Sequence, residues 1–187
     1  MKKEKVQDRI LRVASDLFYR QGYNSTGINQ IIAEADIAIG SLYNHFSSKN
    51  DLLQAYLIRE ELNWFEGFKN SVAKISDPKD KLSALIDYRK KLQHSSHFAG
   101  CQFIKIISEI GDGNPVISDF VKKHKEKQKD LIRTLVKQSN VKEESMDSDL
   151  IADTIFLLIE GAVVTSTINK DNDSFDQIKK MIKGLIP

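Results

Sequence analysis

The sequence predicts an all-α protein of about nine helices, with an N-terminal three-helix helix-turn-helix domain ahead of a larger C-terminal helical domain. Three observations carry that expectation. Prolines stand only at 78, 115 and 187, and strand-like alternation is scarce. Apolar residues recur instead at the three- and four-residue intervals of a helix face along most of the chain. Between Gly22 and Leu53 the chain reads GYNSTGINQIIAEADIAIGSLYNHFSSKNDLL, two short helical patterns either side of a four-residue break, with an aromatic pair and a lysine close behind.

The first helix is expected over 4–20, where Val6, Ile10, Val13, Leu17 and Phe18 form one face while Lys5, Arg9, Arg12 and Asp16 meet water. Gly22 stops it. The second, 27–34, takes Thr26 as its N-cap. The third, 38–44, is very short, and neither is stable without tertiary packing. Ser47 or Ser48 caps the helix over 49–73, with Ser48 and Asp51 at capping-box spacing. Asp77-Pro78 opens the next, 78–94, because aspartate caps and proline tolerates the first helical position; Leu82, Leu85, Ile86 and Tyr88 follow. After a break at Phe98–Gly100, residues 101–110 return to an apolar face that GDGN ends. Asn114-Pro115 repeats the cap-and-proline signal for a helix over 115–138, with Ile117, Val121, Leu131, Leu135 and Val136 as its apolar edge and KKHKEKQKD as its solvated face. The helix over 148–168 is apolar on nearly every side in its second half, and 174–185 carries Phe175, Ile178, Ile182 and Leu185. A boundary near residue 48 separates domains at 1–47 and 48–187, with no repeat and no low-complexity linker, so the helix over 49–73 joins them rigidly.

At 187 residues the chain is long enough for one large or two small helical units with a real core. Apolar residues at 41% and charged residues at 29% are ordinary for a soluble globular protein. A net charge of +2 means that nucleic-acid binding needs a local basic surface rather than a strongly charged whole. The single cysteine excludes an intrachain disulfide and suits a reducing cytoplasm, where the protein is expected. The opening MKKEKVQDRILRVASDLF has no uninterrupted apolar run or small-residue cleavage site. Asp153 and Glu160 inside the apolar stretch Ile151–Ile168 favour a buried helix over a membrane span, so no membrane partner is expected.

A helix that enters a major groove must be slim near its N-terminus and flanked by groups that grip phosphate. Ala38, Ile39, Gly40 and Ser41 form such a start; Gly40 allows close backbone approach, and Ser41 can donate to a base edge or a phosphate. Tyr43 and His45 offer polar tips on aromatic bodies, Asn44 an amide, and Lys49 an ammonium in the first turn of the next helix. Thr26 combines a cap with a phosphate donor. Each also has a plainer reading: Tyr43 and His45 as half-buried packing, and Thr26, Ser47 and Ser48 as caps alone. Leu42 and Phe46 belong to the core.

Together these residues resemble the DNA-binding domain of the TetR family of one-component transcriptional regulators. The resemblance covers residues 5–53 and rests on Arg9, Ile10, Leu11, Ala14, Leu17, Phe18, Gly22, Tyr23, Ser25, Thr26, Ile31, Ala35, Ile37, Gly40, Leu42, Tyr43, His45, Phe46, Lys49, Leu52 and Leu53. It implies phosphate contacts from Thr26, Tyr43, His45 and Lys49, and groove insertion of the helix that begins near Ala38. Four positions depart from the pattern. Ile32 replaces a small alanine, and Asp36 a turn glycine, where aspartate tolerates a left-handed conformation better than most residues. Ala38 replaces a serine N-cap, a loss of ~1 kcal/mol. Ile39 stands where relatives carry polar or basic residues, and with Ala38 it shifts readout toward thymine methyls.

The same resemblance implies that the C-terminal helices bind a small-molecule effector and form a homodimer on double-stranded operator DNA. The expected seam is the helix over 148–168 with part of 115–138, with Val163 facing outward and Gly161 and Ala162 permitting close approach; the alternative is a central core helix of the monomer. Candidate effector contacts are Trp64, Tyr88, Leu92, Gln102, Phe103, Ile106, Glu109, Phe156 and Glu160. Glu109 and Glu160 either anchor a cationic or hydroxylated ligand or hold a buried arginine, a cap or a dimer-crossing bond. Gly100-Cys101 before an apolar helix and Glu109 resembles one broad C-terminal subgroup, and Cys101 is either an inert buried thiol or a sensor of electrophiles. No nucleophile–base arrangement stands out, and His94 and His97 lack a nearby third ligand, so no enzyme, cofactor or metal site is expected. The resulting expectation is a sequence-specific DNA-binding repressor released by its effector, with activation or corepression as the alternative, and an interaction adaptor or an enzyme as remote ones.

Overall fold

The computed structural model describes residues 4–139 and 147–186; the basic opening at 1–3 and Pro187 lie outside them. Among the described residues the chain forms nine α-helices: α1 Val6–Gln21, α2 Ile28–Ala35, α3 Ile39–His45, α4 Lys49–Ser71, α5 Pro78–Ser95, α6 Gln102–Ile110, α7 Pro115–Gln138, α8 Ser148–Asn169 and α9 Asp173–Leu185. A 3-10 turn, Gly111–Gly113, links α6 to α7.

Local chemistry sets the ends. Gly22 closes α1 at φ 95°, a region open to glycine and closed to most other residues. The Asp77 carboxylate accepts from the N–H groups of Lys79 at 2.7 Å and Asp80 at 3.1 Å, capping α5 ahead of Pro78. Asn114 receives the Ile117 N–H at 3.2 Å, and Ser48 receives that of Asp51 at 3.1 Å, so Ser48 supplies the N-terminal cap bond of α4. Thr26 departs from expectation. The residue that caps α2 is Gly27, without a side-chain bond, and the buried Thr26 hydroxyl instead donates to the Gly22 carbonyl at 2.6 Å. Thr26 closes the α1–α2 turn rather than starting α2.

The chain divides into two compact units, Met1–Trp64 with Gln102–Asp119 and Phe65–Cys101 with Phe120–Pro187. Helices α4 and α7 contribute residues to both. In the first unit α1 packs on α2 and α3. Its core gathers Ile10, Ala14, Leu17 and Phe18 with Ile31, Leu42, Leu52, Leu53, Tyr56, Phe103 and Ile106, all almost wholly removed from water. Each such aliphatic or aromatic side chain contributes about 1.5–3 kcal/mol. Phe18 meets Tyr23 and Tyr56 edge-on, with centroids 5.3 and 5.8 Å away.

In the second unit α8 packs on α9 and on α5. Ile151, Ile155, Ile159, Ala162 and Val163 turn inward, toward a core shared with Leu82, Leu85, Ile86, Phe175, Ile178 and Ile182. Val163 is therefore a core residue, 3% exposed, and not part of an outward seam. The outward stripe of α8 is Leu150, Leu157, Val164 and Ile168, between 55% and 74% exposed. Helix α7 meets α8 through ion pairs: Lys129 with Asp153 at 2.9 Å, and Arg133 and Lys137 with Asp149 at 3.2 and 3.0 Å. By length and composition α8 alone among the described residues would pass for a membrane span, yet one face of it builds this core.

A candidate DNA-reading helix and a buried ionic cluster

The turn between α2 and α3 is held by backbone geometry. Asp36 takes the left-handed conformation, φ 50° and ψ 62°, and its N–H returns to the carbonyls of Ile32 and Ala33. The Ile37 N–H reaches the Ile32 carbonyl at 3.3 Å, and Arg9 donates to the Asp36 carbonyl at 3.2 Å. The turn thus works with aspartate in place of glycine. At the start of α3, Ala38 has extended φ and ψ but offers no cap, as its side chain dictates.

That turn aims α3. Leu42 is fully buried and Phe46 nearly so, anchoring one side to the first unit's core. Ala38, Ile39, Gly40, Tyr43, Asn44 and His45 all face water, Ile39 at 57% and Tyr43 at 49% exposure. A Cβ placed on Gly40 would meet no other atom within 4 Å, so that edge of the helix is open. Ser41 is half-buried beside it. Lys49, also half-buried, sits with Nζ 4.2 Å from the centroid of the Tyr23 ring, and the Tyr23 hydroxyl donates to Asn50 at 2.6 Å. Burial holds the Lys49 ammonium below the ordinary lysine range, and the charge of Glu109 acts in the opposite direction. Eight of the nine expected DNA contacts, Ala38, Ile39, Gly40, Ser41, Tyr43, Asn44, His45 and Lys49 but not Thr26, thus keep some side-chain or backbone exposure. The Thr26 hydroxyl hydrogen is already committed to Gly22.

The expected effector contacts fall in both units, and each set has its own surroundings. In the first unit Phe103 and Ile106 are core, Trp64 is buried, and the Gln102 amide donates to Glu60 at 3.4 Å. Burial pushes the Glu60 carboxyl up, and Arg59 beside it pulls the other way. Glu109 accepts the Asn24 N–H at 2.8 Å while its own carbonyl receives the Asn24 side chain at 2.9 Å. A Cβ on Gly22 would lie 2.8 Å from the Glu109 carboxylate, a second reason for glycine there. One turn earlier Lys105 donates to the Tyr19 carbonyl at 2.6 Å. Two charged side chains of α6 therefore clasp the end of α1 and the turn that follows it.

In the second unit Tyr88 lies against Phe68 with centroids 6.0 Å apart, and its hydroxyl occupies the space a side chain on Gly67 would need. Leu92 and Phe156 are half-buried. Glu160 holds a buried arginine, one of the alternatives open for it: Arg89 donates to one carboxylate oxygen at 3.4 Å and Lys125 to the other at 2.7 Å. The Lys125 ammonium also lies 3.4 Å from the Gln128 amide oxygen and 3.6 Å from the Cys101 sulfur. His124 and Gln128 are buried inside KKHKEKQKD, which is therefore not a uniformly solvated face. Arg89, Gln93, His124, Lys125 and Gln128 are the polar residues that the sequence reading did not single out. The available signal was spacing, since Val121, Lys125, Gln128 and Ile132 repeat at helical intervals along α7. Among the described residues no group of three or more His, Cys, Asp or Glu is placed to hold a metal ion.

Comparison with known proteins adds a family. Residues 10–56 match the model for bacterial regulatory proteins of the tetR family, and residues 78–182 match the tetracyclin repressor-like C-terminal domain. The chain is 29% identical over 153 residues to the HTH-type transcriptional regulator QacR of Staphylococcus aureus, covering 79% of this chain and 77% of that one. It is 28% identical over 188 residues to the HTH-type transcriptional regulator YxaF of Bacillus subtilis, covering 96% and 94%. The crystal structure of SCO4454, a TetR-family transcriptional regulator from Streptomyces coelicolor, matches the fold with a TM-score of 0.86 at 24% identity, over 97% of this chain and 94% of that one.

Proposed function

We propose, from the premise that this chain belongs to the TetR family of bacterial regulatory proteins, that it is a cytoplasmic homodimeric repressor released from its operator by a small molecule. The observation that carries this reading is the two-sidedness of α3, whose Leu42 is rooted in the core while Ile39, Gly40, Tyr43 and Asn44 stand free in water. A helix of this shape enters a major groove with its N-terminal residues on base edges. Ser41, Tyr43, His45 and Lys49 grip phosphate beside it. Ala38 and Ile39 offer methyl and aliphatic surface, which suits thymine methyls over bidentate hydrogen bonding.

One seven-residue helix makes few contacts, and two copies on paired half-sites multiply weak recognition. The outward stripe Leu150, Leu157, Val164 and Ile168 supports pairing through α8, with Gly161 open to close approach between the larger side chains. Residues 1–47 are the reading part and 48–187 carry effector and partner. Helix α4 starts at Lys49 beside the reading helix and continues into the second unit, so an effector that shifts it resets the spacing of the two copies of α3. To act as a switch, that effector must prefer the arrangement that does not bind DNA.

Selection of bound duplexes from a random pool, followed by gel-shift titration of the DNA beside the protein's own gene, tests the proposal. A two-fold symmetric site bound far more tightly than scrambled DNA is the expected outcome. Equal affinity for native and random duplex with one salt slope would remove the specific-binding reading. A promoter-reporter fusion in cells separates repression from activation.

A further inference from the structure

The chemistry inside the second unit bears on what the effector is, and this inference rests on the effector reading above. A carboxylate in an apolar interior invites a cationic ligand only while it lacks a partner. Glu160 has two: Arg89 on one oxygen at 3.4 Å and Lys125 on the other at 2.7 Å. A cationic ligand would have to displace one and then face it as a like charge in a partly desolvated site.

The opposite charge fits better. The Lys125 side chain is 15% exposed, and of the three groups that surround its ammonium only Glu160 is a carboxylate. Gln128, one turn along α7, is 4% exposed. Its amide oxygen faces the ammonium, which fixes the amide orientation, since the reversed one would set N–H against a cation. The amide nitrogen is then left with no hydrogen-bond partner. A buried donor without an acceptor is unfavourable, and an incoming carboxylate oxygen removes that penalty. His124, the residue before Lys125 on α7, meets the Phe65 ring edge-on at 5.8 Å, and aromatic surface in the same unit suits a ligand with an apolar body.

We propose that the effector is an apolar organic anion whose carboxylate is received jointly by the Lys125 ammonium and the Gln128 side-chain amide. Calorimetric titration of the full-length protein tests this with decanoate and 2-naphthoate as probes, 1-decanol and 2-naphthamide as neutral counterparts, and decyltrimethylammonium as the cationic one. The carboxylates should bind more tightly than either counterpart. Lys125→Met should weaken them roughly 10- to 100-fold, the range for a hydrogen bond to a charged group, while Lys125→Arg keeps most of the affinity. Gln128→Leu should weaken them less, and it decides the matter if Lys125→Met does not fold. Tighter binding of the cation, no carboxylate binding, or carboxylate affinity unchanged in the folded Lys125 and Gln128 variants would overturn the proposal. A parallel gel-shift separates the two readings. Carboxylates that bind through Lys125 yet leave the DNA complex intact would remove the effector role and keep the ligand class. Release of DNA by a neutral or cationic compound alone would do the reverse.

Discussion

Lys49 joins two physical demands at one side chain: in the proposed role it must stay charged to grip a phosphate, yet it is half-buried over the Tyr23 ring. Burial lowers its pKa, and the protonated form is the one that binds. DNA affinity should therefore fall as pH rises through that lowered value, before an ordinary lysine near about 10.4 would lose its proton. Lys49→Arg should abolish the early fall, measured as affinity against pH. Lys49→Ala should weaken all sequences alike and reduce the salt slope by about one. Asp36 poses a smaller problem, a side chain in left-handed geometry whose carbonyl is bonded to Arg9. Asp36→Gly should relieve that strain and raise stability by about 0.5 kcal/mol, after the entropic cost of glycine, without changing specificity. Urea denaturation that shows destabilisation would mean that the aspartate side chain does more than occupy the turn. Gly40→Val should leave the fold intact, because its edge is open, and damage sequence-specific binding through steric exclusion from the groove.

At the scale of the element, α8 separates two roles that look alike in the sequence. Leu157→Asp or Ile168→Asp places a charge on the exposed stripe and should split the dimer into folded monomers in sedimentation velocity. Val163→Asp places the same charge in the core, and should instead unfold the second unit at a cost of several kcal/mol. If Leu157→Asp leaves the mass of the assembly unchanged, the stripe is not the seam. Helix positions and most of their caps were legible in the sequence, because periodicity, Asp77-Pro78, Asn114-Pro115 and Gly22 are local signals. The α3 face was legible for the same reason, since Leu42 and Phe46 fix its inward side. What was not legible depends on distant partners. Glu109 clasping Asn24, Lys105 reaching Tyr19, and Arg89 and Lys125 sharing Glu160 each join residues far apart in the chain. Around the middle of α8 apolar residues fall on nearly every side, so the sequence offers little contrast from which to tell Val163 from Val164.

At the scale of the whole molecule, the proposed recognition needs two copies of a slim helix on one DNA duplex. A pair of α3 helices related by a two-fold axis reaches successive major grooves on one side of the duplex only if the half-sites lie about one helical turn, roughly 34 Å, or a multiple of it apart. If each copy offers apolar contact at the exposed Ile39 and backbone approach at Gly40, specificity should concentrate at a few thymine-bearing positions per half-site. Hydroxyl-radical footprinting combined with base-contact interference on the selected operator measures this directly. The expected result is two symmetric protected segments on one face of the helix, with interference in the major groove of each that disappears for Gly40→Val. Continuous protection without symmetry, or interference confined to the minor groove, would contradict it.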